Sequence, residues 1–329
     1  MILAGDAGGT NARMALFESR GADLNLVTER IYPSKNYKGL EDIVADFLRS
    51  NSAKPDVAGI GVAGPVRAGR CVATNLPWIV DAAKLAAAAG LPRVVLLNDL
   101  EANAYGIATL PAADLAVIQQ GNANPKGNAA VISAGTGLGE AGMYWDGATL
   151  RPFAAEGGHS SFAPEGELQG ELFQHLARKF GHVSCERILS GPGLVNVYEF
   201  LRDTGRGAEP AWLADEFRSG DPAAAISAAA LAGKSDLCVS ALDLFVQAYG
   251  AEAGNLALHM LATAGVYIGG GIAPKILAKL KSGLFLEAFL AKGRMKPLLE
   301  VIPVMVILNE NTALRGAARG AILNSSSGK

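Results

Sequence analysis

"MILAGDAGGTNARMALFE", Met1–Glu18, joins two apolar runs, "MILAG" and "ARMALFE", through a turn rich in glycine. Glycine lets the backbone approach an anion closely and take positive φ, so that successive N–H groups can point inward. On that reading the turn Gly5–Asn11, with Gly5, Ala7, Gly8 and Gly9 and the hydroxyl of Thr10, is a phosphate cradle. Asp6 is wrong for a bare phosphate and right for one that carries Mg²⁺, which is held by a carboxylate together with phosphate oxygens. A plain hairpin with a bulge accounts for the same residues.

Outward from that stretch, strand-like runs alternate with helical ones. "LEDIVADFLRS" has helical apolar spacing, "VAGIGVAGPV" is a strand into a turn, "AKLAAAAGL" is a helix ending at Gly90, and "RVVLL" is a strand. Such alternation predicts an α/β architecture. After the loop-like "QQGNANPKGN" the pattern restarts with "AAVISAGTGLGEAGMYW". Shifted by 129 positions, "GDAGGTNARM" lies on "AGTGLGEAGM", with Gly8 on Gly137, Ala12 on Ala141 and Met14 on Met143. The second turn, "SAGTGLGE", offers Gly135 and Thr136 to a phosphate. A third, "YIGGGIAPK", places Gly270 and Gly271 between a strand and the helix expected in "APKILAKL". Glycines before a helix N-terminus suit a nucleotide. "GLGEAG" matches GxGxxG but leads into an aromatic strand ending in Asp-Gly, not into a helix, which excludes a dinucleotide site. Gly233-Lys234-Ser235 lacks the earlier glycine and strand of a P-loop.

Composition excludes other classes. The 329 residues are half apolar, enough for more than one core, and two domains are expected. Charged residues are 18% and the net charge is −2, so there is no electrostatic reason for nucleic acid or an anionic membrane as partner. Cys71, Cys185 and Cys238 are scattered, with no CxxC, and read as apolar filler in a reducing compartment. No signal peptide is read in "MILAGDAGGT". No apolar run approaches the ~20 residues of a membrane helix; the alanine-rich "DPAAAISAAALAGKS" is short and charge-bounded. The expected compartment is the cytoplasm.

The polar candidates lie in three stretches. In "VVLLNDLEANAYG" a buried strand ends on Asn98 and Asp99, of which one suffices to cap the following helix. The other is placed where open α/β sheets bind ligands, beyond a strand's carboxyl end. "AAEGGHSSFAP" brackets a Gly-Gly turn with Glu156 and His159, and "GHVSCERILSGPGL" carries Ser184, Glu186 and Arg187 at a helix start, with a second helix from Pro192. Singly, these read as a surface acid, a loop histidine and a first-turn acid. Together an amide, three carboxylates and an imidazole suit a ligand covered in hydroxyls.

At this point "GDAGGTNAR", "TNLPW", "LLNDLEANAYGI", "AGTGLGEA", "EGGHSSFAP", "GHVSCERILSGPGLVNVYEFL" and "GVYIGGGIAPK" together, spanning nearly the whole chain, resemble the bacterial glucokinase family of hexose kinases. The resemblance is weaker to the ROK sugar kinases, whose cysteine-rich zinc motif is missing. It implies the actin-like ATPase (ribonuclease H-like) fold, with a cleft between a smaller α/β domain (1–108 plus 312–329) and a larger α+β domain (109–311). It further implies ATP, Mg²⁺, glucose and a homodimer. Asp99 would be the base for the glucose 6-hydroxyl. Asn98, Glu156, His159, Glu186 and, more weakly, Asn75 of "TNLPW" would bind the sugar. Gly8, Thr10, Gly135 and Thr136 would cradle phosphates, Gly270 and Gly271 would flank the adenosine, and Asp6 would hold Mg²⁺ through water. The helix "NTALRGAARGAIL", with Gly316 and Gly320 one turn apart, would return to the N-terminal domain. Rivals are a kinase for another hexose and a sugar-responsive ATP-binding regulator. The latter needs a DNA- or partner-binding appendage, and the start of the first strand at residue 1 leaves no room for an N-terminal helix-turn-helix, which counts against it.

Overall fold

The structure, a computed structural model, describes residues 1–20, 23–52, 54–73 and 78–325. Asn75 lies outside the described residues. The chain divides into two compact units: Met1–Asp114 with Arg151–Ala154 and Asn309–Lys329, and Leu115–Leu150 with Ala155–Leu308. The first stretch holds β1 (Ile2–Ala7), β2 (Asn11–Arg20), β3 (Asp23–Pro33), α1 (Leu40–Asn51), β4 (Val57–Val62), the short strands β5 (Val66–Arg67), β6 (Arg70–Val72) and β7 (Ile79–Asp81), α2 (Ala82–Ala89), β8 (Val95–Asn98) and α3 (Asp99–Ile107). Then follow β9 (Leu115–Gln119), β10 (Ala129–Ala134), β11 (Leu138–Trp145), β12 (Leu150–Ala155), α4 (Gly166–Phe180), α5 (Gly191–Asp203), α6 (Ala211–Ser219), α7 (Pro222–Leu231) and α8 (Asp236–Met260). β13 (Gly265–Gly269), α9 (Leu277–Leu280), α10 (Leu284–Leu290), α11 (Lys296–Glu300), β14 (Val304–Ile307) and α12 (Thr312–Ser325) complete the order.

In the first unit the sheet runs β3-β2-β1-β4-β8, with β1 antiparallel to β2 and parallel to β4, and β4 parallel to β8. β1 is apolar from Ile2 to Gly5 because it is covered on both faces. Ile2 and Ala4 pack with Leu314, Ala317 and Ala321 of α12, while the alternate Leu3 packs with Ile43, Val44 and Phe47 of α1. α1 turns Leu40, Ile43, Val44 and Phe47 to that core, the i, i+3, i+4, i+7 face of a helix. α2 is capped by Asp81, whose side chain accepts from Ala83 N, and stops at Gly90 in the left-handed region (φ 66°).

The turn after β1 is narrower than Gly5–Asn11. Gly5, Asp6 and Ala7 belong to β1, paired to Met14, Arg13 and Ala12. Gly5 is a packing residue, since a Cβ there would stand 3.1 Å from both Ile60 and Met14. The turn proper is Gly8–Thr10, and neither Gly8 nor Gly9 takes positive φ. Freedom of backbone approach, not handedness, is therefore what glycine contributes there.

In the second unit neighbouring strands run β11-β10-β13-β14-β9, with β10 antiparallel to β11 and parallel to β13. The hairpin β1–β2 with its parallel neighbour β4 is thus echoed by β10–β11 with β13. The residue echo at a shift of 129 is a correction. The last paired residues before the two turns are Ala7 and Ala134, two positions off that alignment, so its three identities do not fall on equivalent places. Topology repeats here, and sequence does not. A second correction concerns "APKILAKL": residues 270–276 are successive turns, and only Leu277–Leu280 is helical. A third concerns "CER", a single 3-10 turn (Cys185–Arg187); the following helix starts at Gly191, capped by Ser190. Among the described residues no single helix is long and apolar enough to cross a membrane; α7 and α8 pass that test only as a pair bent by 101°. The three cysteines are all buried, consistent with filler.

Candidate active site

Asn98 ends β8 opposite Val62 of β4. It is the helix cap: its Oδ1 accepts from Leu100 N (2.9 Å) and Glu101 N (3.3 Å), and its Nδ2 donates to Gly64 O (3.2 Å). Asp99, the first residue of α3, is half-buried and has one oxygen, Oδ1, within 2.9 Å of Leu100 N. Asn98 supplies the cap of α3, and the Asp99 carboxylate stands in the first turn of that helix, just beyond the end of β8.

In the same unit Asp6 faces Arg13 across the β1–β2 pair. Burial raises the Asp6 carboxyl above the ordinary carboxylate range, and the Arg13 charge opposes that rise. Arg13 is itself held by Asn311, which accepts from it at 2.9 Å and donates to Glu29 at 3.1 Å. The Gly8–Thr10 turn is braced by Ser34, which donates from its backbone to Thr10 O (2.9 Å) and from Oγ to Gly8 O (3.1 Å). No cluster of three or more acidic, His or Cys ligands occurs among the described residues. Asp6 thus belongs to no all-protein metal cage among the described residues; a single carboxylate could hold magnesium only together with phosphate oxygens and water.

The second unit brings the other two glycine turns to one cavity of about 570 Å³. Gly135 and Thr136 of the β10–β11 turn line it with Gly271, Ile272 and Lys275, which follow β13. Gly270 is fixed there by sterics. Its φ is +83°, and a Cβ would strike the Ala134 carbonyl. A Cβ at Gly135 or Gly271 meets nothing within 4 Å, so these two leave open the space that a side chain would fill. The N-terminal turns of α5 (Gly191, Pro192) and α7 (Asp221 to Ala224) complete the lining. Sequence reading placed a helix start at Pro192 but gave neither of these helix starts a part in the site. The available signals were Ser190 and Asp221, each a cap immediately before a proline-containing first turn. A cavity of this size suits a small-molecule ligand of nucleotide dimensions.

The same turn carries the polar candidates on its far end. Glu186 accepts from Leu138 N at 3.0 Å, and a Cβ at Gly137 would stand 2.5 Å from Glu186 Oε2, so that carboxylate would have to move to admit one. Ser190 Oγ donates to Glu186 O (2.8 Å), and Gly191 N donates to Gly135 O (2.8 Å). Glu156 and His159 flank a 3-10 turn, both exposed, with Nε2 and Oε2 4.0 Å apart. That turn is tied to the segment of Glu186: Cys185 N donates to Ser160 O (3.0 Å), and Ser161 bridges Ser184. Gly158 sits so close to the Leu138 carbonyl that no Cβ would fit. One turn, Gly135–Leu138, thus serves a nucleotide-sized cavity on one side and a carboxylate–imidazole cluster on the other.

Comparison with known proteins reads the same way. Residues 3–323 match the family model described as Glucokinase. The glucokinase of Nostoc punctiforme is 41% identical over 333 residues, covering 97% of this chain and 98% of the relative. That of Nostoc sp. is 42% identical over 334 residues with the same coverages. The crystal structure of glucokinase from an Antarctic psychrotroph has a TM-score of 0.86 at 32% identity, covering 98% of both chains. This fold and this site define a hexose kinase. Its glycine turns sit on an α/β frame shared with the relatives along almost their whole length. The chain belongs to the glucokinase family.

Proposed function

We propose that this chain transfers the γ-phosphoryl group of ATP to the 6-hydroxyl of D-glucose, giving glucose 6-phosphate and ADP. The observation that carries the reading is the Gly135–Leu138 turn, which joins the 570 Å³ cavity to the Glu186 carboxylate. Asp99 accepts the hydroxyl proton as the sugar oxygen bonds to phosphorus and the bond to the β-phosphate oxygen breaks. Catalysis of this kind is mostly positioning and charge stabilisation, which a rigid strand end provides. Glu156, His159 and Glu186 take sugar hydroxyls. Asn98 has one amide hydrogen left for the same purpose, and Asn75 is a further candidate. Gly8, Gly9, Thr10, Gly135 and Thr136 hold phosphates, while Gly270 and Gly271 shape the adenosine end. Magnesium, bound at Asp6 through water, would neutralise charge on the phosphates. Because Asp99 and the Glu156–Glu186 cluster belong to different units, we infer that turnover uses both, in the two-domain manner of the actin-like ATPases. Domain limits at 1–108 with 312–329, a cytoplasmic location and a homodimer form part of the same reading.

Two variants test the subsites separately. Glu156→Gln should weaken glucose binding mainly, raising its KM by roughly ten- to two-hundredfold, which is what one lost charge-assisted hydrogen bond of ~1.5–3 kcal/mol gives. A changed KM for ATP with an unchanged one for glucose would place Glu156 in the other subsite. Gly271→Val places two methyls in the cavity without a backbone penalty. It should raise the KM for ATP and leave the calorimetric glucose affinity alone. An unaltered KM for ATP would remove the cavity from nucleotide binding. A coupled ADP assay over a panel of hexoses distinguishes glucose from fructose, mannose or an amino sugar as acceptor.

A further inference from the structure

Beneath the Glu156–His159 turn lies a carboxyl group that the reaction does not use. Glu140 of β11 is 4% exposed, and its Oε1 has no hydrogen-bond partner among the described residues. Its Oε2 fills the space under Gly157, where a Cβ would run into it. Glu252 of α8 faces Glu140 within hydrogen-bonding reach. Among the described residues the titratable groups that act on it are Tyr249 of α8 and the Cys185 thiol, with Glu156 and His159 flanking the two glycines above and His182 Nε2 3.1 Å from the His159 carbonyl oxygen. None of these brings a fixed positive charge.

Burial and a neighbouring carboxylate both disfavour the charged form of Glu140. Burial chiefly, and then the Glu252 charge and hydrogen bond, push Glu140 up to about 8. The Cys185 thiol, pushed up to about 12 chiefly by burial, stays protonated beside it.

We propose that Glu140 is a positioning residue for the acceptor site: as a neutral acid bonded to Glu252 it forms the floor of the Gly157–His159 turn, and loss of its proton lifts that turn and weakens hexose binding. The inference rests on the reading of Glu156 and His159 as hexose ligands. Gly157 and Gly158 have no side chains with which to anchor the turn, so what lies beneath them sets its height. A raised carboxyl pKa means that the neutral form is complete well below pH 8 and is lost as pH rises through it. Sugar that binds only the seated turn must then favour protonated Glu140. A one-unit rise of the Glu140 pKa on binding corresponds to tenfold weaker binding at high pH.

The test is the pH course of glucose affinity from 6.5 to 9.5, by KM at saturating ATP and by calorimetry with glucose alone. The wild type should lose roughly tenfold in glucose affinity across pH 8. Glu140→Gln keeps a neutral donor towards Glu252 at every pH, and its glucose affinity should stay flat within about twofold. The KM for ATP should follow one course in both proteins. Glu252→Gln removes the neighbouring charge but not the burial, and should move the loss to lower pH, which keeps the test available if one variant folds poorly. An alkaline loss that is equal in wild type and both variants overturns the proposal, as does a wild-type profile with no loss. Failure of the acceptor-site reading is a separate result: it shows as an unchanged glucose KM in Glu156→Gln.

Discussion

Replacing Asp99 by alanine should lower kcat by at least the ~10²–10⁴-fold of a lost general base and leave the fold in place. The local structure supports both halves of that expectation. Asn98 Oδ1, not Asp99, caps α3, and it already accepts from the same Leu100 N–H that Asp99 Oδ1 approaches. Removing the carboxylate therefore leaves no helix donor unsatisfied. The cost to stability should stay within ~1 kcal/mol. Steady-state kinetics with thermal melts checks this. Turnover within threefold of wild type would take the base role away from Asp99, and a collapsed melt would mean that its part is structural.

A second large effect concerns packing. Gly316 sits in α12 at the point where that helix crosses α3. A Cβ there would collide with the Ala102 carbonyl and stand 2.6 Å from Gly106 N. Intrinsic propensity argues that Gly316→Ala gains ~1 kcal/mol of helix stability. Overlap with a backbone carbonyl costs more, ~3 kcal/mol or above, because two helices must move apart and open the core between them. The net is destabilisation by at least ~2 kcal/mol and a melting temperature lower by several degrees. Gly170 is the control: it is in α4, with nothing within 4 Å of where its Cβ would be. Gly170→Ala should follow propensity and gain up to ~1 kcal/mol. If both substitutions stabilise, the close approach of α3 and α12 is wrong.

Much of the frame was legible because apolar periodicity and turn residues are local signals. The strand into Asn98, the α2 stop at Gly90, the Asp146-Gly147 turn and the α12 helix are written in neighbouring residues. The helix expected after "YIGGG" was misread because Ile272, Ile276 and Leu280 keep a helical spacing, although a chain of turns buries much the same residues. The 129-residue echo failed for a different reason. A β-hairpin and its parallel neighbour are fixed by strand pairing, which tolerates any sequence of suitable pattern, so identity carries no register.

By itself the sequence determined the element types, the three glycine turns, the polar candidates and, through its motifs, the family. Only the tertiary structure decided what those glycines are for. Gly5 and Gly316 make room for neighbouring packing, Gly270 takes a left-handed backbone against Ala134, and Gly135 and Gly271 leave a cavity open. It also decided that Asn98 holds the helix cap, and that Glu140 lies under the Gly157 turn against Glu252. The physical reason is distance along the chain. A glycine's missing Cβ has meaning only relative to its neighbours in space, and for Gly270 against Ala134 or Gly316 against Ala102 those lie more than a hundred residues away and are brought near by packing alone.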